Sequence, residues 1–168
     1  TPGLKPSIEK LIEDALLSQS DHTKFRALAA RANYLAQDRP DLQFAAKEIC
    51  RYMSAPTDAS EAALKRLGRY LLGHMRCVYK YPFQRAEGIE VYGDTDFAGC
   101  SATRRSTSGG CALIGGSCVK HWSTTQSTIA LSSGEAELLA AVKASGEALG
   151  IVQMARDLQR NLEATVYV

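Results

Sequence analysis

The chain has 168 residues, of which 45% are hydrophobic and 23% charged, with a net charge of +2. That is enough apolar material for one ordinary domain or two small pieces, and it excludes a disordered chain. There is no run of about 18 uninterrupted apolar residues, and the start TPGLKPSIEK lacks an apolar core, so neither a transmembrane helix nor a secretory signal is expected.

Residues 1–19 read as a linker, with Ser7 capping a short helix to about Leu17. From residue 20 to 86 the chain reads as helices. In FRALAARANYLAQ, helical spacing puts Phe25, Leu28, Ala32 and Leu35 on one stripe. Pro40 ends that helix, because the residue before a proline is pushed away from helical dihedrals. LQFAAKEICRYM follows, with Leu42, Ala45, Ala46, Ile49 and Met53 on one face, and Pro56 breaks it. Asp58 and Glu61 form an expected cap for EAALKRLGRYLLGHMR, which buries Leu64, Leu67 and Leu71. Lys65, Arg66, Arg69 and Arg76 lie largely off that stripe. An ordinary solvated face is the simpler reading of them. Contact with a nucleic-acid backbone is the functional one.

Near residue 87 the character changes. IEVYGDTDF alternates and is β-prone. TSGGCALI and SCVKHWSTT are β-like runs joined by Gly115-Gly116, a hairpin signal. His121 reads as a strand residue rather than a metal ligand. Ser132 and Glu135 form the S-x-x-E start of a helix that runs to about Gly150 or beyond, and ATVYV begins another strand. The order β-β-β-α-β implies an α/β fold with a mixed sheet.

Charge is uneven along the chain. Residues 1–86 carry 14 Lys/Arg against 9 Asp/Glu, and residues 87–168 carry 6 against 9. This asymmetry hints at a nucleic-acid-facing part beside an acidic site. The five cysteines make no CxxC pair, which points to reduced thiols in an intracellular setting.

Asp94 and Asp96 end the first β-prone run. Residues two apart on a strand share a face, so the pair reads either as turn-forming acids or as ligands for a hard divalent cation. Glu135 reads as a helix-capping acid. Glu137, set among Ala136, Leu138, Leu139, Ala140 and Ala141, reads as an acid able to join Asp94 across the sheet face.

Taken in order, VYGDTDFAGC, RRSTSGGCALIGG and KHWSTTQSTIALSSGEAELLAA resemble the ribonuclease H domain of copia-type LTR-retrotransposon polyproteins. The upstream NYLAQDRPDLQFAAKEICRYMSAPT and LKRLGRYLLG resemble the thumb-like helical region that follows the reverse-transcriptase palm in the same polyproteins. The resemblance covers about residues 20–168. It implies a helical segment over 20–86 and a ribonuclease H-like domain over 87–168 that is incomplete at its C-terminus. It also implies catalytic and metal-binding roles for Asp94 and Glu137, with Mg²⁺ or Mn²⁺ as cofactor. Asp96 matches an acidic position of the pattern, and a turn or surface role is preferred for it. Lys65, Arg66, Arg69, Ser106, Ser108 and Ser132 are candidate contacts to nucleic acid. For the three serines, structural and capping roles come first. The implied partners are an RNA–DNA hybrid and the rest of a parent polyprotein, in a cytoplasmic particle or the nucleus and not at a membrane. A third catalytic Asp is expected on the strand after the helix, just beyond Val168. The chain therefore reads as a piece of a polyprotein with half the usual ligands, weak Mg²⁺ binding, little cleavage of its own and an open sheet edge. A nucleic-acid-binding remnant without catalysis is the alternative.

Overall fold

The computed structural model describes residues 2–3, 14–85, 87–100 and 103–168. The expected linker and short helix of residues 1–19 lie mostly outside the described residues. The described part, from Asp14 to Leu17, is not helical. Leu17 N–H donates to the Pro56 carbonyl (3.0 Å) and Asp58 N–H to that of Ala15 (3.0 Å), so this stretch runs antiparallel beside residues 56–58. The chain divides into two compact units, Thr1–Val78 and Tyr79–Val168.

The first unit holds α1 (Gln19–Leu35), α2 (Pro40–Cys50) and α3 (Asp58–Gly73). Ser18 caps α1 by accepting from the Asp21 N–H. Pro40 opens α2 at a position where its missing N–H costs nothing. Thr57, not Asp58, caps α3. Its hydroxyl accepts from Ser60 N–H (3.3 Å), and the Ser60 hydroxyl in turn accepts from Thr57 N–H (2.8 Å). The Asp14 carboxylate takes the Ala59 N–H as well, at 2.8 Å.

The core of this unit joins Phe25, Ala29, Ala32 and Ala36 to Leu42, Ala45, Ala46, Ile49 and Leu67, with Leu64 and Leu71 packed at its edge. The stripe of α1 is rotated from the expected one, since Leu28 and Leu35 are exposed while Ala29 and Ala36 face inward. Small residues win the interior because they allow the helices a close approach. Arg39 is buried and holds Asp41 through two bonds of 2.9 and 2.7 Å, and it also donates to the His74 carbonyl. Tyr70 donates to the same carboxylate at 2.9 Å. The guanidinium, more than any other neighbour, holds the Asp41 carboxyl below its ordinary pKa.

The second unit is a four-stranded mixed sheet with one helix: β1 (Gly88–Asp96), β2 (Thr107–Ile114), β3 (Ser117–Thr125), α4 (Ser133–Asp157) and β4 (Glu163–Tyr167). The strand order is β3-β2-β1-β4. β1 pairs antiparallel with β2, β2 antiparallel with β3, and β1 parallel with β4. This is the expected β-β-β-α-β order, with the crossover helix that a parallel pair requires. Gly115 and Gly116 both have positive φ (54° and 79°), the conformation a two-residue hairpin turn demands.

One face of the sheet packs on α4 through Ile89, Val91, Ala112, Trp122, Ala144, Ala148 and Ile151. α4 is long and apolar enough to cross a membrane by length and composition. Its alanines at 136, 140, 144 and 148 are buried against the sheet, while Leu138, Val142, Leu149 and Met154 on the other side are exposed. β3 and β4 are the sheet's two edges among the described residues.

Candidate functional site

Asp94 is an exposed residue near the end of β1, where it pairs with Gly109 of β2. Its carboxylate accepts the N–H of Thr95 at 2.7 Å. Glu137 is exposed in the second turn of α4. The apolar residues around it in sequence do not bury it, because Leu138 is itself exposed and Ala136 and Ala140 take the inward positions.

A single side chain ties the two neighbourhoods together. Gln126, in the loop between β3 and α4, is buried. Its amide nitrogen lies 3.2 Å from the Thr95 hydroxyl, 2.9 Å from the Ser108 hydroxyl and 2.9 Å from the Ala136 carbonyl. Thr95 follows Asp94, and Ala136 precedes Glu137. One carboxamide therefore pins the β1 residue beside the first acid to the α4 residue beside the second. Gly93 adds to this close approach, since a Cβ there would meet the Ala144 methyl at 3.1 Å and the Ala140 carbonyl oxygen at 3.5 Å.

Side-chain alternation constrains what the acids can do. Val91, Gly93 and Thr95 face α4. Asp94 therefore falls on the opposite face, with Glu90 and Tyr92. That face also carries the stack of Tyr92 on Tyr167, with ring centroids 4.8 Å apart. Partial burial, followed by the nearby Glu90 charge, raises the Tyr92 phenol above its ordinary pKa. The structure brings the backbones beside Asp94 and Glu137 to one node and leaves both carboxylates in solvent. Among the described residues, no group of three or more His, Cys, Asp or Glu side chains could hold a metal ion.

Asp96 is the last residue of β1, pairs with Thr107 of β2 and leads into the turn at residues 97–98. A Cβ on Gly99 would collide with the Asp96 carboxylate, and Gly99 N–H donates to the Asp96 carbonyl at 3.3 Å. Ser106 and Ser108, candidate nucleic-acid contacts by sequence, are buried instead. The Ser106 hydroxyl accepts the Ala98 N–H at 3.0 Å, and that of Ser108 meets Gln126. Both hydroxyls are committed inside the protein and cannot reach a ligand from there. Ser132 is exposed and caps α4 by accepting the Glu135 N–H at 3.1 Å. Glu135 reaches one residue further back than a standard capping box, taking the Leu131 N–H at 2.7 Å.

Lys65, Arg66 and Arg69 are exposed on α3, and Lys65 is paired with Glu61 at 2.6 Å. On the other flank of α4, Lys120 of β3 bonds Glu147 and, more than the burial that opposes it, holds that carboxyl below its ordinary pKa. All five cysteines are free thiols. Gln126 is the residue that sequence reasoning missed. A lone glutamine in a Ser/Thr-rich loop has no periodicity or motif to mark it.

No protein-family model matches the chain, and no solved structure matches it. Curated proteins do. Retrovirus-related Pol polyprotein from transposon RE2 of Arabidopsis thaliana is 32% identical over 138 residues, 82% of this chain and 10% of that protein. Secreted RxLR effector protein 161 of Plasmopara viticola is 36% identical over 132 residues, 77% of this chain and 92% of that protein. The chain belongs to the copia-like retrotransposon polyprotein family. A further relative is the uncharacterized mitochondrial protein AtMg00810 of Arabidopsis thaliana, 33% identical over 130 residues. The match takes in 53% of that relative, so the chain spans about half its length and about a tenth of the RE2 polyprotein. As a member of this family, the chain is a retroelement-derived segment.

Proposed function

We propose that residues 87–168 form a ribonuclease H-like unit of a retroelement polyprotein and that residues 20–86 are the thumb-like end of its reverse transcriptase. The observation that carries this reading is the Gln126 node, which fastens the acid-bearing end of β1 to the acid-bearing start of α4. A β-β-β-α-β unit with a carboxylate on each of those two elements supports it further.

Each acid is a hard oxygen donor of the kind a hydrated divalent cation takes, although Asp94 lies on the sheet face away from α4, so the two do not form a preassembled pair across that face. Mg²⁺ keeps several of its own waters and commonly takes only one or two protein carboxylates, and Asp94 and Glu137 are both open to solvent. In phosphodiester hydrolysis such an ion supplies an activated water and charge stabilisation on the leaving oxygen. This chain's part is to hold the acids. Thr95 N–H fixes one oxygen of Asp94. The N-terminal dipole of α4 acts on its first turn, which carries Glu135 rather than Glu137. Gln126 keeps the two segments in register. The substrate class is an RNA–DNA hybrid, told from DNA by its 2′-hydroxyl groups. Exposed Lys65, Arg66 and Arg69 offer phosphate contacts on the helical unit.

With only two candidate ligands among the described residues, metal binding is weak and cleavage by this chain alone is close to background. Mn²⁺ titration followed by electron paramagnetic resonance tests the site. The Asp94→Asn variant loses the bound ion, Glu137→Gln weakens it, and Asp96→Asn leaves it unchanged. Mn²⁺ binding indifferent to Asp94→Asn overturns the assignment. Robust, Asp94-dependent cleavage of a hybrid overturns the statement that the chain alone is inactive.

A further inference from the structure

We infer that the segment Tyr79–Arg85 is a binding site for single-stranded nucleic acid. The sequence there is YKYPFQR. It belongs to the second unit and adopts no helix or strand. Two anchors hold it to the β2–β3 hairpin: Tyr81 donates its hydroxyl hydrogen to the Cys118 carbonyl (3.3 Å), and Gln84 donates from its amide to the Ile114 carbonyl (3.2 Å) and the Ser117 hydroxyl (2.9 Å). Pro82 keeps the backbone extended at the residue before it and removes one donor, so the strap does not become a fourth antiparallel strand of the sheet.

The side chains thus displayed are unusual for a water-facing surface. Phe83 is 102% exposed and Tyr81 62%, and Tyr79 stands beside them at 39%. Aromatic residues alternate at 79, 81 and 83, so they recur every ~6.6 Å along extended backbone. The Tyr79 and Tyr81 rings lie 6.2 Å apart and 27° from parallel. That separation is close to twice the ~3.4 Å rise of stacked bases, so a small opening of the rings admits one base between them. Lys80 and Arg85 are exposed and make no ion pair among the described residues, which leaves both for phosphates. Glu87 is the exposed acid nearest in sequence and subtracts one charge.

Alternating aromatic faces with interspersed cations are the features that hold single strands, whose bases are free to stack on π-faces. A duplex keeps its bases stacked on one another and would meet only the two cations. The site shares no residue with Asp94 and Glu137, so it stands or falls independently of the ribonuclease H reading.

The test is fluorescence anisotropy of a labelled oligo(dT) of about 15 nucleotides, a length within the range that extended stacking sites cover. The full chain is titrated at low salt. Phe83 supports no core, so Phe83→Ala preserves the fold, which circular dichroism checks. It is expected to weaken binding by about five-fold or more. Paired Lys80→Glu and Arg85→Glu changes reduce both the affinity and its salt dependence. A double-stranded DNA of the same length competes poorly, since its bases are already stacked on one another. Absence of oligonucleotide binding overturns the inference, as does binding unchanged by Phe83→Ala or equal competition by the duplex. Phe83-dependent binding to anionic phosphatidylserine vesicles without oligonucleotide binding also overturns it, and would assign the strap to a membrane surface instead.

Discussion

Replacing Gln126 with leucine isolates the node that joins β1 to α4. Leucine is close in size, so the change deletes the polar contacts without opening a large cavity. The amide nitrogen has three acceptors within 3.2 Å but only two hydrogens, so two bonds are made at any moment. At ~0.5–1.5 kcal/mol each their loss amounts to about 1–3 kcal/mol. Two features decide where in that range the value falls. The Thr95 hydroxyl keeps a second partner in the Thr107 carbonyl (3.1 Å), and the Ala136 carbonyl keeps its place in the helix ladder. The Gln126 carbonyl oxygen is buried without a partner, and removing it relieves a standing cost. Ser108, buried and deprived of its amide, supplies most of the remaining loss, so we expect about 1–2 kcal/mol. Trp122 is the chain's single tryptophan and lies in the core of the second unit, so urea unfolding followed by its fluorescence reports that unit alone. In a thermal melt of a unit of this size, the same loss lowers the midpoint by roughly 4–16 °C. The Ser108→Ala change combined with Gln126→Leu costs less than the two separately, because they share one bond. A Gln126→Leu variant within about 0.5 kcal/mol of wild type, or strict additivity with Ser108→Ala, refutes the reasoning.

Further outcomes follow from the same packing. Arg39→Ala strips the partially exposed Asp41 of its guanidinium and is expected to cost about 1–3 kcal/mol, read by far-ultraviolet circular dichroism in urea, with the Trp122 transition unmoved. Because Arg39 holds the Asp41 carboxyl below its ordinary value, the stabilisation is complete above the unfolded-state pKa near ~4 and is lost as pH falls through the lower folded value. Asp41→Asn removes that acid-limb dependence from the pH profile of helical unfolding. Gly110→Ala drives a methyl into the Trp122 ring and the Tyr92 carbonyl, destabilising the second unit by about 1–3 kcal/mol or more and shifting Trp122 emission, where Gly146→Ala, on the open side of α4, shifts it little.

The sheet was legible because its signals are local. Two glycines with positive φ dictate the hairpin, and alternation in IEVYGDTDF marks β1. The start of α4 was legible from Ser132 and Glu135 for the same reason. The face of α1 was not, because hydrophobicity favours Leu28 and Leu35 over Ala29 and Ala36, while close helix packing selects the smaller residues. Thr57 displaced Asp58 as the α3 cap because the reciprocal bonds with Ser60 satisfy two backbone donors through short hydroxyls. Glu137 was read as a charge in an apolar setting, yet sequence neighbours on a helix point in different directions, and the two that face the sheet are alanines at 136 and 140. The inward turn of Ser106 and Ser108 follows from contacts with Ala98 and Gln126, which no spacing rule encodes.

The placement of the two acids depends less on the acids than on what lies between them. α4 meets the sheet through alanines four residues apart, at 136, 140, 144 and 148, and β1 answers with Gly93. A larger side chain at any of these points would lift the helix from the strand by the width of a methyl or more. Gln126 then spans a gap that the small residues have made short enough for one carboxamide. The acids can remain exposed and exchange partners with solvent while the backbone beside each is held. That division of labour explains why Asp94 and Glu137 make few contacts of their own. Their positions are set by inward-facing residues one place away, Gly93 and Thr95 beside Asp94 and buried Ala136 beside Glu137, and substitutions at Gly93, Gln126 or Ala140 disturb the site at least as much as conservative changes to the carboxylates' nearest exposed neighbours.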